Sequence, residues 1–147
     1  MSDADTKLLE RAIDEASRKK SHYYYSAALE ARVVAASEAT HTITIEFTAV
    51  DSISSAGYLD EGFVGTVADY WTSVLISAVN QGRQSVTTTL TVQTLGRIVH
   101  GEKVHVICTT KANDGVPGAT AVFASADDRR IVYAVVVHTK FFKALRQ

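Results

Sequence analysis

One stretch decides the architecture that this sequence predicts, residues 62–81, which read GFVGTVADYWTSVLISAVNQ. The segment has the length of a helix, and its side chains are apolar on nearly every side. Such a helix has to be surrounded by other structure. The apolar run from Phe63 to Val79 is near the lower length limit for crossing a bilayer, but it contains Asp69. We therefore interpret it as a buried helix and expect no membrane insertion.

On both sides of this helix the sequence has a different period. Residues 3–20 carry apolar side chains at three- and four-residue spacing, which predicts an amphipathic helix. From residue 40 the period is two, with Ile43, Ile45 and Phe47 alternating with polar residues, as in a half-buried strand. Gly82 is a candidate cap for the central helix. Four more strands are predicted after it, over residues 85–95, 102–111, 119–126 and 131–139.

The order of elements is thus helix, strand, buried helix and a four-stranded meander. This order predicts an α+β fold in which one curved antiparallel sheet wraps around a long central helix. Five strands would leave part of that helix uncovered, so we expect a second copy of the chain to help to cover it. We divide the chain into an N-terminal helical segment, residues 1–38, packed on a single domain formed by residues 39–147.

Composition excludes several classes of function. Fifteen basic and 16 acidic residues give a formal net charge of -1, which leaves no basic excess for binding nucleic acid. The single cysteine, Cys108, cannot form an internal disulfide and favours a reducing compartment. No histidine pair has the spacing of a metal motif, so we predict no metal site. The acidic start lacks the features of a secretion signal, so we expect a cytoplasmic or mitochondrial protein that is not secreted.

Asp69 is the first candidate for chemistry, because it is the only charged residue between Phe63 and Gln81. An ionised carboxylate inside an apolar helix is costly unless it is paired or hydrogen-bonded. Such a group is a candidate general base or nucleophile. The alternative is that Asp69 faces a solvated edge or makes a structural hydrogen bond, and the spacing alone leaves both readings open.

The start of the central helix is the second candidate. A helix N-terminus offers free N–H groups and a partial positive charge, which can stabilise an oxyanion. Ordinary capping explains the same residues more simply, because Asp60 suits the N-cap and Glu61 suits the first turn.

A run of hydroxyl residues in the following strand is the third candidate. Strict alternation places Thr87 and Thr89 on one face and Thr88 on the other. One of these hydroxyls could position a water molecule, although threonine is also simply a common strand residue. We read His138, like the other histidines, as structural, and Cys108 as a buried, inert thiol.

Several motifs, taken together, resemble hotdog-fold acyl-CoA thioesterases of the 4-hydroxybenzoyl-CoA thioesterase superfamily. The similar subgroup contains the phenylacetate-pathway enzymes and the small mitochondrial thioesterases of animals. Residues 57–69, GYLDEGFVGTVAD, resemble the pattern G-x-L-H-G-G-x-x-A-T-L-x-D. Residues 84–93, QSVTTTLTVQ, resemble the strand that follows it, residues 101–102 the G-E pair, and residues 138–140 the closing H-T-K. The resemblance covers residues 40–141 and implies a hotdog fold with active sites at the interface of a homodimer, often within a dimer of dimers.

The resemblance also implies roles for individual residues. Asp69 would be the catalytic carboxylate, Thr87 would orient the water, and the N–H groups of Glu61 and Gly62 would stabilise the oxyanion. Ser54 stands where the family has an asparagine that helps to hold the water. The positions near the substrate would be Asp60, Thr89, Asn113, Gly115, Val116, Pro117, Gly118, Lys140 and Phe141. No cofactor is implied, since coenzyme A is part of the substrate.

One departure from the family pattern bears on activity. The family's His-Gly-Gly is Asp60-Glu61-Gly62 here, so two carboxylates stand where an oxyanion would form and oppose its charge. Our first hypothesis is an acyl-CoA thioesterase that hydrolyses the thioester to a free acid and CoA. The alternative is a catalytically impaired hotdog protein that binds acyl-CoA or acts as a structural or assembly subunit. A hotdog dehydratase or hydratase is less favoured, because no histidine and acid have the spacing that those enzymes use.

Overall fold

The structure is a computed structural model that describes residues 1–19, 31–50, 54–55, 57–110 and 117–143. Both predicted helices and all five predicted strands are present, with ends shifted by a few residues. The elements in these ranges are α1 (Asp3–Lys19), β1 (Arg32–Ser37), β2 (Thr42–Thr48), β3 (Ser54–Ser55), β4 (Tyr58–Leu59), α2 (Glu61–Val79), β5 (Ser85–Thr94), β6 (Lys103–Thr110), β7 (Gly118–Ser125) and β8 (Val132–Phe142).

Six of the strands form one antiparallel sheet, in the order β1-β2-β6-β7-β8-β5. The predicted meander is correct for β6, β7 and β8 but wrong for β5, which pairs with β8 at the far edge. The chain between β5 and β6 passes the N-terminal start of α2 on its way to the other side of the sheet. There the N–H of Leu59 in β4 donates to the carbonyl of Ile98 at 2.8 Å.

The edge strand β1 was not predicted. Its sequence, RVVAAS, lacks the alternation that marks β2, yet it pairs along β2 from Arg32 opposite Glu46 to Ser37 opposite Thr42. The sheet therefore begins inside residues 1–38, the segment that the sequence had suggested was helical.

The helix α2 fills the concave side of this sheet, as predicted, and is buried along nearly all of its length. By length and composition it could cross a membrane, but most of it lies inside the fold. The helix α1 packs against α2 and β1 through the fully buried Leu8 and Ala12. The Tyr70 hydroxyl of α2 donates to the carbonyl of Ala16 at 2.7 Å. One chain thus covers the helix by itself, so the expectation that a second copy is needed to cover α2 was wrong.

Gly82 takes part in the C-terminal cap of α2 together with Gln81, and both residues have a positive φ. Gln81 has a φ of 57°, and the N–H of Gly82 donates to the carbonyl of Ser77 at 2.8 Å. Of the two hydrogen bonds that make a Schellman cap, this is the one that joins residues five positions apart in the chain. Because the chain reverses here, it enters β5 antiparallel to β8.

The strand β5 forms an open edge of the sheet. Among the described strands it pairs with β8 alone, and each of its ten residues is at least partly exposed. The apolar side chains of Val86 and Val92 are 43% and 37% exposed. A long edge with exposed apolar side chains is a template for pairing with another strand.

Candidate functional site

A cluster of polar side chains runs from the apolar core to the protein surface, where α2 packs against β8 and β5. It contains Asp69, Thr72 and Ser73 from α2, His138 and Lys140 from β8, and Thr87 from β5. Two periods bring these side chains together. Residues three and four apart share one face of a helix, and alternate residues share one face of a strand.

His138 is the centre of the cluster and is fully buried. Its Nδ1 lies 2.7 Å from the Thr72 hydroxyl, and its Nε2 lies 2.8 Å from the Thr87 hydroxyl. Burial and, to a smaller extent, the positive charge of Lys140 lower the pKa of His138 to about 4, although the negative charge of Asp69 opposes the shift. The ring is therefore neutral at neutral pH.

Asp69 lies beside this histidine with one unsatisfied oxygen. Its Oδ1 is 3.6 Å from His138 Nε2, is buried, and accepts no hydrogen bond from the described residues. The side chain as a whole is 29% exposed, so the carboxylate also reaches the protein surface. Buried acceptors are almost always hydrogen-bonded, and exceptions often have a functional role. This geometry favours the chemical reading of Asp69 over a structural hydrogen bond.

Lys140 points into the fold and not into solvent. Its residue is 5% exposed, and Nζ donates to the Ser73 hydroxyl at 3.0 Å. Burial lowers the pKa of Lys140, and the negative charge of Asp69 opposes that shift. The lysine, expected near the substrate, thus lies beneath α2, where its cation offsets the charge of the Asp69 carboxylate.

A β-bulge decides which threonine of β5 faces the cluster. Thr87 lies opposite Lys140 and Thr89 opposite Thr139, with Thr88 as the extra residue. The Thr88 hydroxyl donates to the carbonyl of Thr139 at 3.0 Å. The prediction that Thr87 and Thr89 share a face was wrong, because a bulge breaks the alternation of a strand. Thr87 faces α2, and Thr89 lies on the outer face of the sheet.

The start of α2 is capped as the simpler reading of its sequence predicted. Asp60 is the N-cap, and its Oδ1 accepts the N–H of Gly62 at 2.8 Å. That N–H, one of the two expected oxyanion donors, is therefore occupied. Glu61 is exposed, and no described residue accepts its N–H, as is usual at the first position of a helix.

A cavity of about 370 Å³ opens at this end of α2. Its polar lining comes from Tyr58, Asp60, Glu61, Thr94, Arg97 and Tyr133. The guanidinium of Arg97 lies 4.7 Å from the ring centroid of Tyr58. The cavity volume is large enough for a small acyl group, and the lining contains both acidic and basic side chains.

The helix separates the two halves of the predicted site. Asp69 follows Glu61 by eight residues on α2, so about 12 Å of helix axis lies between them. The acid and the N–H group of one chain therefore cannot act on the same carbonyl.

The other predicted site residues are divided between these two regions and the outer surface. Ser54 pairs with Leu59, which places its backbone beside the start of α2. Pro117 accepts the N–H of Lys140 at 2.8 Å, and Gly118 lies opposite Thr139. Phe141 is exposed on the outer face of the sheet, as is Thr89. Asn113, Gly115 and Val116 lie outside the described residues.

Sequence reasoning missed the central position of His138. The closing H-T-K was noted only as part of the resemblance, and each histidine was read as structural. The available signal was the spacing itself, because His138 and Lys140 must share one face of a strand. Cys108 is fully buried, and burial raises the pKa of its thiol, as expected for an inert cysteine. Within the part of the chain that the structure describes, no three His, Cys, Asp or Glu residues could hold a metal ion.

No family model matches this chain, and no curated protein matches it. Solved structures do resemble it. Thioesterase superfamily member 2 of Mus musculus is 17% identical, with a TM-score of 0.71 over 95% of this chain and 98% of that chain. The PaaI protein of the E. coli phenylacetic acid degradation operon is 12% identical, with a TM-score of 0.76 over 93% and 96%. This chain has the hotdog fold.

A third hotdog structure was solved with a ligand. It is a hypothetical thioesterase protein from Streptococcus pneumoniae TIGR4 with coenzyme A, 14% identical, with a TM-score of 0.70 over 88% of this chain and 98% of that chain. At these identities the comparisons establish the fold, and the predicted α+β hotdog architecture is confirmed.

The buried histidine should make the stability of this hotdog domain depend on pH. The unfolded chain binds a proton near the ordinary pKa of 6.5, whereas folded His138 binds one only near 4. The free energy of unfolding should therefore fall by about 3 kcal/mol as the pH drops from 6.5 to 4. Urea unfolding across this range checks the result.

His138→Gln isolates this contribution, since the variant has no ring to protonate. Its free energy of unfolding should change less with pH than that of the wild type between pH 6.5 and 4. Hydrogen bonds lower the carboxyl pKa of Asp5, Glu46 and Asp128 from ordinary values of 3.8 to 4.5, so these groups lose their stabilisation mainly below that range, and they do so in both proteins. Parallel curves for the two proteins would contradict the prediction.

Proposed function

We propose that this protein is an acyl-CoA thioesterase that hydrolyses the thioester of an acyl-CoA to a free acid and CoA. The observation that carries the proposal is the Asp69 carboxylate in a hotdog fold. Its buried Oδ1 accepts no hydrogen bond from the described residues and lies 3.6 Å from His138 Nε2, the same nitrogen that the Thr87 hydroxyl contacts. Several similar structures are named thioesterases, and two were solved with coenzyme A or acetyl CoA. These names support a CoA thioester as the ligand class.

In the proposed reaction Asp69 acts as general base. It takes a proton from a water molecule that the Thr87 hydroxyl also orients, and the water oxygen attacks the thioester carbonyl. The carbon–sulfur bond then breaks, and the proton that Asp69 took from the water goes to the leaving sulfur, so that the free acid and the CoA thiol are released and Asp69 is ionised again. A carboxylate at the same position could instead attack directly as a nucleophile. The buried ammonium of Lys140 supplies a positive charge near Asp69 in either case.

The developing oxyanion needs a donor that the same chain cannot supply. The free N–H of Glu61 is about 12 Å along α2 from Asp69, so we infer that each site pairs Asp69 of one copy with Glu61 of a second copy. The open edge of β5 supports such a homodimer, because pairing of two β5 strands would cover the exposed Val86 and Val92. A dimer of dimers and a cytoplasmic or mitochondrial location remain our proposals from the sequence.

A second function, acyl-CoA binding without turnover, is favoured by one specific observation. The Asp60 carboxylate occupies the N–H of Gly62, and the Glu61 side chain adds a second negative charge at the same helix start. Both features oppose an oxyanion. A protein with this defect would keep the fold and the ligand and serve as a binding or assembly subunit.

A thiol-release assay with a panel of acyl-CoAs separates the two functions. We expect CoA release for at least one member of the panel. CoA binding by calorimetry without release from any member would favour the binding subunit. In that case the double variant Asp60→His/Glu61→Gly should create activity, because it frees the helix start from both carboxylates.

A further inference from the structure

We propose that His138 is a positioning residue that fixes the hydrogen of the Thr87 hydroxyl and, with it, the orientation of the attacking water. The inference deepens the proposed function, and its consequence for turnover rests on that function. The structural part, the proton arrangement around His138, stands on the hydrogen bonds of the cluster alone.

The arrangement starts at Thr72, whose hydroxyl has one hydrogen and two close neighbours. Its Oγ1 lies 2.7 Å from the carbonyl of Ala68, an atom that can only accept. Two oxygens at this distance repel each other unless a hydrogen lies between them, so the Thr72 hydroxyl hydrogen points to that carbonyl. Toward His138 Nδ1, also at 2.7 Å, Thr72 can then only accept. Nδ1 consequently carries the hydrogen of the imidazole ring.

A neutral imidazole with its hydrogen on Nδ1 has a bare lone pair on Nε2. His138 is fully buried, which keeps the ring neutral, with Lys140 and Asp69 as the charged groups that face it. Nε2 therefore accepts, and the Thr87 hydroxyl at 2.8 Å donates to it. The single hydrogen of Thr87 is used, so toward any other partner its oxygen can only accept.

The same tautomer leaves Asp69 without a donor. Its Oδ1 is 3.6 Å from Nε2, but that nitrogen has no hydrogen to give. Thr87 and Asp69 are thus both acceptors beside one ring nitrogen. A water molecule bound between them donates a hydrogen to each, so its free lone pair points away from both, toward a bound carbonyl. The opposite tautomer would satisfy Asp69 and weaken it as a base.

Nuclear magnetic resonance of ¹⁵N-labelled protein tests the tautomer without any substrate. The chain has five histidines, and the His138 signals are assigned by their loss in His138→Gln. We expect the shifts of a neutral ring protonated on Nδ1, unchanged between about pH 6 and 8. Thr72→Val should abolish the Nδ1 preference, whereas Thr72→Ser, which keeps the hydroxyl, should retain it. A wild-type ring protonated on Nε2 would overturn the inference.

A pair of His138 variants tests the consequence for turnover. A glutamine can place its oxygen near the Nε2 position and accept from Thr87, whereas an asparagine reaches only the Nδ1 position. His138→Asn should lower kcat by about 10-fold with little change in KM, as should Thr87→Val. His138→Gln should retain most of the activity, and Thr87→Val/His138→Asn should be no slower than either single variant. An equal loss of kcat in His138→Asn and His138→Gln would overturn the role of His138 in positioning. Additive losses of kcat in Thr87→Val/His138→Asn would overturn it as well.

The proposed function and the proposed tautomer of His138 can fail separately. A wild-type protein that releases no CoA contradicts the proposed function, while the tautomer measurement still decides the arrangement of hydrogens. An active protein with its ring protonated on Nε2 keeps the proposed function and loses the inference. Thermal unfolding of each variant confirms that a loss of turnover is not a loss of fold.

Discussion

Replacing Asp69 by asparagine should lower kcat for acyl-CoA hydrolysis by about 10²–10⁴-fold. An amide has nearly the shape of the carboxylate but cannot take a proton from water or attack a carbonyl. Its nitrogen would also donate a hydrogen where the proposed water needs an acceptor. Because Asp69 Oδ1 has no hydrogen bond to lose, the variant should still fold, but it should unfold at a somewhat lower temperature than the wild type, since the buried Lys140 loses the opposite charge of Asp69. The thiol-release assay, run on both proteins in parallel, measures the effect.

Asp14→Asn is the matched control for this prediction. Asp14 is an exposed acid on α1 that pairs with Arg18 on the surface of that helix. The same chemical change there should leave turnover unchanged. If Asp69→Asn hydrolysed its substrate as fast as the wild type, Asp69 would be neither the base nor the nucleophile.

The second large effect is expected from Glu61→Pro, which deletes one N–H group and keeps the helix. Proline is favoured at the first position of a helix, and Asp60, at φ -63° and ψ 132°, has a conformation that a following proline accepts. Loss of one oxyanion donor should lower kcat by about 10²–10³-fold. Glu61→Ala keeps the N–H and removes only the carboxylate, so it should be faster than the wild type. Equal rates in the two variants would show that the N–H of residue 61 has no part in the reaction.

A mixture of Asp69→Asn and Glu61→Pro chains tests whether two copies share a site. In a heterodimer, one site would combine the intact Glu61 of the first chain with the intact Asp69 of the second. Random pairing of equal amounts should then restore about a quarter of the wild-type activity, because half of the dimers have one of two sites intact. No activity in the mixture, with heterodimers present, would contradict a shared site.

Periodicity in the sequence located most of the fold. The 3.6-residue and two-residue patterns placed both helices and five strands, since burial on one face leaves a direct trace in the order of residues. The edge strand β1 was not predicted because none of its residues is fully buried, so its sequence shows no alternation of apolar and polar residues. The position of β5 beside β8 also escaped, because pairing partners depend on the path of the chain between 95 and 102.

The candidate site was only partly predictable for a similar reason. Asp69 was visible as a single charge in an apolar helix, and the resemblance pointed to Thr87. Neither signal showed that His138 contacts both, because a neutral histidine in a strand has no sequence pattern of its own. The bulge at Thr88 puts Thr89 on the face of the sheet opposite to the one predicted, and no local sequence rule predicted a bulge at that position.

By itself, the sequence determined that a helix apolar on nearly every side would be wrapped by a sheet, because such a helix cannot face water. It also determined that Asp69 would be an isolated charge within that helix. Tertiary structure alone decided what surrounds the charge, namely a neutral histidine, a buried lysine and one threonine turned inward by a bulge. These contacts join residues that are far apart in the chain. Their chemistry depends on distances of a few ångströms, which side-chain periodicity does not encode.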